Sequence, residues 1–307
     1  METGKKNLAI YTNGLTKHYG KQAAVDRINL EVHRGDLFGL LGPNGAGKTT
    51  TNRMLAGLVH TTSGKVEING CNIESERQAA LRKTGFVLDK PAFYPRLSGR
   101  NNLEMMARLL PEKPSHSVGE VLDTVGLSKQ GGQQFHTYSL GMKRRLDIAA
   151  ILLGSPDLLV LDEPTSGLDP AGAQQMRQLL ATLTGEGKTV LFSSHLMSDV
   201  EKLCNRVAII HLGRVVVQDE LAKLLAEAGG VVQMRIERAE DAAKAFGSFA
   251  HNPVRHRDGK DFIVDTSEMK LEEIQQSLGE QGLYPSEIKK AQGLEQLFLD
   301  LTGGNHG

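Results

Sequence analysis

Short, continuous apolar runs alternate with stretches of helical character along most of the chain. DLFGLLG (36–42) is apolar and compact, GPNGAGK (42–48) is rich in glycine, and TTTNRMLAGL (49–58) suits a helix, so this region reads as strand, loop and helix. DLLVLDEP (157–164) is an apolar run bounded by Ser155-Pro156 and Pro164, the form of a strand buried on both faces. KTVLFSSH (188–195) has the same form. Helical stretches lie between these runs, notably 141–153 and 171–183, and strands alternating with helices predict a largely parallel α/β sheet. Over 206–218 two β-rich runs flank Leu212-Gly213-Arg214, a hairpin signal.

The pattern changes after Gly229-Gly230. VVQMRIER reads as a strand, AEDAAKAFGSF as a helix, and the runs around Asp258-Gly259-Lys260 as a hairpin. Leu271, Ile274 and Leu278 recur at helical spacing; LYPSEIKKA suits a last strand and GLEQLFLDLTG a closing helix. The order β-α-β-β-α-β-α is similar to a ferredoxin-like unit with one added helix. Two domains are therefore expected, 1–229 and 230–307, and a length of 307 residues accommodates both with ample core. No internal repeat or low-complexity tract interrupts them.

Charge narrows the partners. Lys plus Arg and Asp plus Glu are each 36, a formal net charge of zero, which argues against a dedicated nucleic-acid binder. The segment after Gly230 carries 9 basic and 13 acidic residues, so it is net acidic and the remainder net basic. The longest apolar runs, 148–153 and 158–161, fall far short of the roughly 18–20 residues that span a bilayer. METGKKNLAI has neither the apolar stretch nor the cleavage site of a secretory signal. Cys71 and Cys204 have no metal or redox spacing and are expected to be reduced thiols in a cytosolic protein.

Gly42 to Thr49 fits G-x-x-x-x-G-K-[ST]. Its glycines let successive backbone N–H groups curl around phosphate oxygens, Lys48 supplies a cation, and Thr49 supplies a hydroxyl for Mg²⁺. The following helix adds its N-terminal dipole to the same anion. Asp162 ends the apolar strand, where a carboxylate can hold a metal directly or through water, and Glu163 can orient an attacking water. Alone, Asp-Glu-Pro would read as a polar strand cap; with a phosphate loop in the same chain it reads as part of a nucleotide site.

Together with SGLD (166–169), His195 directly after a strand, and YSLGMKRRLDIAAILL (138–153), these elements resemble the ATP-binding subunit of an ABC transporter over roughly residues 8–220. The resemblance implies a P-loop core with a mostly parallel sheet, an antiparallel β subdomain, and a helical subdomain at about 90–155. It implies ATP and Mg²⁺ as cofactors. Gly42, Pro43, Asn44, Gly45, Ala46, Gly47, Lys48, Thr49 and Thr50 would cradle the phosphates (Walker A), with Tyr19 stacked on adenine or else simply a packed surface residue. Asp162 would hold the metal with Thr49 (Walker B), Glu163 would be the base or water-orienting group, and His195 would contact the γ-phosphate. Ser139, Leu140, Gly141 and Met142 would form the signature that binds the ATP of the opposite subunit, and Asp169 would couple the two sites across a dimer.

Two positions depart from the family pattern. The common signature is L-S-G-G-Q, whereas this chain has Tyr138-Ser-Leu-Gly-Met142, and Leu140 would be costly if a positive φ were needed there. That variant resembles the branch containing bacitracin-resistance and lantibiotic-immunity exporters. Asp89 stands where the family places a metal-contacting Gln; it would reach the metal through a water, or else belong to a solvent-facing turn. Phe93 and Tyr94 are candidates for membrane-subunit contacts or for core.

The expected function is ATP hydrolysis by a head-to-tail homodimer or paired ATPase, powering a separate polytopic permease from the cytoplasmic face of the membrane. The alternative is a non-transport ABC ATPase acting in assembly or regulation. A P-loop kinase or GTPase is disfavoured by the lack of an [NT]KxD motif and by the signature helix. The C-terminal domain is expected to regulate the ATPase or stabilise its dimer. Cargo, set mainly by the permease in this family, stays open.

Overall fold

A computed structural model describes residues 7–88, 93–227, 231–249, 252–266, 269–290 and 293–303. The chain divides into two compact units, Met1–Glu220 and Leu221–Gly307, so the split precedes the Gly229-Gly230 pair. Among the described residues no helix is long and apolar enough to cross a membrane.

The first unit runs β1 (Leu8–Tyr19), β2 (Gln22–Ile28), β3 (Glu31–His33), β4 (Leu37–Leu41), α1 (Lys48–Leu55), β5 (Ser63–Ile68), β6 (Cys71–Asn72), α2 (Arg77–Leu81) and β7 (Thr84–Val87). It continues with α3 (Gly99–Leu109), α4 (Val118–Thr124), α5 (Leu140–Leu152), β8 (Leu158–Asp162), α6 (Pro170–Gly185), β9 (Thr189–Ser194), α7 (Met197–Leu203), β10 (Arg206–His211) and β11 (Arg214–Glu220). One sheet has the order β11-β10-β4-β9-β8-β7, parallel throughout except for the β10–β11 hairpin. Its inner strands are the apolar runs of the sequence: β4 and β9 are buried along their whole length, as parallel strands covered on both faces must be. The second sheet is antiparallel, ordered β2-β1-β5-β6 with β3 also on β1. Ile10, Val25 and Ile68 of this sheet share one core with Phe38, Val160 and Ile210 of the parallel sheet and with Met54 and Leu55 of α1. That core fixes α1, and with it the loop before α1, between the two sheets.

Helices α3, α4 and α5 form a layer whose starts are set by serine caps. Ser98 accepts from Asn101 N at 3.1 Å, Ser117 and Glu120 make a reciprocal capping box, and Ser139 accepts from Met142 N at 3.2 Å. Tyr138 is buried and donates its hydroxyl to Gln130 O at 2.8 Å. It leaves no room at Gly99, where a Cβ would lie 2.2 Å from the phenol oxygen. The far end of α5 packs on β7, with Ile151 against Gly85.

The second unit contains α8 (Leu221–Glu227), β12 (Val231–Arg235), α9 (Ala239–Gly247), β13 (Val254–Asp258), β14 (Asp261–Asp265), α10 (Leu271–Glu280), β15 (Glu287–Lys290) and α11 (Leu294–Gly303). Its sheet has the order β13-β14-β12-β15 with every pair antiparallel. Met234, Phe246, Phe262, Ile274 and Leu278 fill its core, the Phe246 and Phe262 rings 5.3 Å apart. Helix α11 packs against α8 within the same unit.

Candidate functional site

Strands β4, β9 and β8 are parallel neighbours, so their carboxyl ends lie side by side; Leu41 is level with Ser194, and Asp162 with Ser193. Open α/β sheets place their ligands at this edge. The glycine-rich loop turns across it. Gly42 N donates to Ser194 O at 3.2 Å, and a Cβ at Gly42 would sit 2.3 Å from Ile210 O. Gly47 has φ +108°, and a Cβ there would meet Ala24 O at 2.6 Å. The tip of the β10–β11 hairpin braces the loop, with Gly213 N donating to Ala46 O at 3.0 Å. Together these segments enclose a cleft of about 500 Å³, within the usual range for a small-molecule site. Gln22, Ala23 and Ala24 of β2 form one wall, Asn44, Gly45, Gly47, Lys48, Thr49 and Thr50 the floor, and Glu163, Ser166, His195, Leu212 and Gly213 the remainder.

The polar groups converge on one point. Lys48 is buried, donates Nζ to Gly42 O at 2.7 Å and Pro43 O at 3.1 Å, and lies 3.3 Å from Glu163 Oε1. Thr49 Oγ1 donates to Asp162 Oδ2 at 2.8 Å. Asp162 Oδ1 accepts from Asn52 Nδ2 at 3.1 Å and from Ser193 Oγ. Glu163 has φ +49°, and its Oε2 is 2.7 Å from His195 Nδ1. A carboxylate only accepts, so Nδ1 carries the proton and Nε2 is the free ring nitrogen. Thr49 and Asp162 pair a hydroxyl with a carboxylate, hard oxygens suited to Mg²⁺, which takes one or two carboxylates and completes its shell with phosphate oxygens and water. Among the described residues there is no cluster of three His, Cys, Asp or Glu side chains that would suggest a different metal.

The other predicted residues lie further out. Tyr19 is half-exposed at the end of β1, opposite Gln22 of the cleft wall, with Lys17 Nζ 5.2 Å from its ring centre. Ser139 caps α5, and Leu140 is the first residue of that helix, so no positive φ arises there. The Leu140 side chain is 47% exposed and packs at its inner edge on Gly167; Gly141 faces Gly172 and Leu168. The predicted signature and the 166–169 segment therefore touch within one chain. Asp169 is exposed and caps α6, accepting from Gly172 N at 3.3 Å. Phe93 is half-buried, edge-on to Phe135 at 5.1 Å, whereas Tyr94 projects outward. Asp89 lies outside the described residues.

Several contributors were not singled out from sequence. Asn52 and Ser193 complete the ring around Asp162, and Ala23, Ala24 and Leu212 shape the cleft. Asn52 is three residues after Thr49 and so shares its helix face, a signal that was available. Asp147, one helical turn and more beyond the signature on α5, is buried, and burial pushes its carboxyl up to about 7 while the charge of Arg144 acts the other way.

A phosphate loop at the end of one strand, a carboxylate pair at the end of a neighbour, and an imidazole behind it define a P-loop nucleotide-binding cassette. The ABC transporter family model matches residues 25–166. The bacitracin transport ATP-binding protein BcrA of Enterococcus faecalis is 36% identical over 96% of each chain. Its namesake from Bacillus licheniformis is 46% identical over 67% of this chain and 68% of its own. The linearmycin resistance ATP-binding protein LnrL of Bacillus subtilis is 35% identical, covering 96% of this chain and 98% of its own. Among solved structures, cbiO1 from Clostridium perfringens, part of an ABC transporter complex, superposes with a TM-score of 0.65 at 26% identity, covering 72% of this chain and 92% of that one. The chain belongs to the ATP-binding proteins of the ABC transporter family, and it binds and hydrolyses ATP with Mg²⁺.

Proposed function

We propose that this chain is the ATPase subunit of an exporter, working as a head-to-tail dimer that drives a separate membrane-spanning permease from the cytoplasmic face of the membrane. The observation that carries this reading is the convergence of Lys48, Thr49, Asp162, Glu163 and His195 at one strand edge beneath the glycine loop. In this reading the backbone N–H groups of Gly45 and of Gly47 to Thr50, with the Lys48 ammonium, hold the β- and γ-phosphates. Thr49 and Asp162 would hold Mg²⁺, which when bound neutralises charge on the phosphate oxygens. Glu163 orients the attacking water and accepts its proton. His195, anchored through Nδ1, turns Nε2 toward the γ-phosphate; donation from that nitrogen requires the imidazolium form. Tyr19 stacks on the base.

Ser139 to Met142 would close on the nucleotide of a second copy, and Asp169 would lie at the same interface. The exposed start of α5 supports this placement. Tyr94, Met105, Met106 and Leu109 leave apolar surface exposed around α3, which supports contact with the permease there. Relatives named for bacitracin transport, lantibiotic transport and linearmycin resistance support export over the non-transport alternative. We read the C-terminal unit as a ferredoxin-like module that regulates the ATPase or steadies the dimer. Glu163→Gln tests the chemistry. ATP binding should survive while hydrolysis falls by about 10²-fold or more, and ATP should trap a dimer in gel filtration; hydrolysis at the wild-type rate would refute the assignment.

A further inference from the structure

Consecutive residues of a strand point to opposite faces, yet Asp162 and Glu163 both reach the start of the helix after the glycine loop, Asp162 at Thr49 and Glu163 at Lys48. The backbone achieves this by entering the left-handed region at Glu163, φ +49°, a conformation rare for a residue with a Cβ. Something must hold it there. Glu163 N–H donates to Ser193 O at 3.2 Å and to Ser193 Oγ at 3.1 Å. The same Ser193 hydroxyl donates to Asp162 Oδ1. Ser193 is fully buried and sits opposite Asp162 in the β8–β9 register, so its reach is fixed by the sheet. A hydroxyl has one proton to give and two lone pairs, so one group can serve both neighbours at once.

We propose that Ser193 is a positioning residue for hydrolysis: its hydroxyl clamps the left-handed turn at Glu163 and, with Asn52, occupies Asp162 Oδ1 so that Oδ2 faces Thr49 and the metal position. This rests on the roles assigned to Asp162 and Glu163. Removing the hydroxyl leaves Glu163 N–H one acceptor and Asp162 Oδ1 one donor. Both carboxylates then lose orientation, while Lys48 and the glycine loop keep theirs.

The test uses the full chain carrying Ser193→Ala or Ser193→Thr. For the alanine variant, kcat should fall about tenfold with KM for ATP held within about twofold. The Mg²⁺ concentration that half-saturates metal-dependent binding of a fluorescent ATP analogue should rise by about tenfold, as for other groups that orient a metal ligand. Affinity for the analogue in EDTA should not change. The threonine variant, which keeps the hydroxyl, should recover most of kcat; if it does not fold, the kcat-against-KM split and the Mg²⁺ titration decide alone. Wild-type kcat and Mg²⁺ response in Ser193→Ala would overturn the proposal, as would an equal loss of analogue affinity in EDTA. Glu163→Gln measured in parallel separates the two levels: if it hydrolyses normally the site assignment itself falls, and if it is inactive while Ser193→Ala is normal only the clamp falls.

Discussion

Replacing Asp147 by asparagine should stabilise the protein in alkaline buffer far more than in acid. Asp147 is 7% exposed on α5, and its Oδ2 has no hydrogen-bond partner among the described residues. Burial raises its carboxyl from 3.8 to about 7. The folded state therefore holds a proton that the unfolded chain releases near 3.8. A carboxyl raised in this way favours folding in acid, and that stability is lost as pH rises from 3.8 to about 7. Each tenfold in proton affinity is worth roughly 1.4 kcal/mol, so the whole interval corresponds to roughly 4 kcal/mol. About a third of the loss is already complete at pH 5, which leaves roughly 2–3 kcal/mol between pH 5 and pH 8. Asparagine has the same shape and no charge to lose. The Tm difference between Asp147→Asn and wild type should therefore grow by roughly 5–10 °C from pH 5 to pH 8 for a unit of this size. Scanning fluorimetry of both proteins at the two pH values measures it. A difference that stays constant, or shrinks toward alkaline pH, would contradict the reasoning.

Other positions give simpler outcomes. Gly47→Ala forces a Cβ to 2.6 Å from Ala24 O at φ +108°, and should lower stability by roughly 1–3 kcal/mol and abolish ATP binding, both readable by denaturation and by fluorescent-nucleotide titration. Leu212 is 77% exposed and left-handed, φ +48°, at the β10–β11 hairpin tip ahead of Gly213, φ +78°. Asparagine suits that turn better, so Leu212→Asn should raise stability by about 1 kcal/mol, seen as a Tm increase of a few degrees.

The parts legible in sequence are those whose signal is local. The strand–loop–helix over 36–58 and the run 157–164 announce themselves because a strand covered on both faces has no polar alternation to obscure it, and they appear as β4–α1 and β8. The Leu212-Gly213 turn is likewise encoded within a few residues. The antiparallel sheet was expected only from the family resemblance. β1 is twelve residues long, but Gly14 at φ +59° and register shifts between Leu15 and His18 break its period of two. Ser193 was hidden for another reason: its contact with Asp162 exists only because β8 and β9 are neighbours in the sheet. Leu140 illustrates the reverse. The sequence raised a backbone cost there, and the structure removes it by making Leu140 the first helical residue after the Ser139 cap.

In the proposed function each hydrolytic site is completed by a second copy of the chain. The specific ATPase activity of the purified protein, followed over serial dilution alongside its oligomeric state, tests this most directly. Activity per chain should fall toward zero as the protein becomes monomeric. Undiminished turnover by isolated monomers would contradict the account.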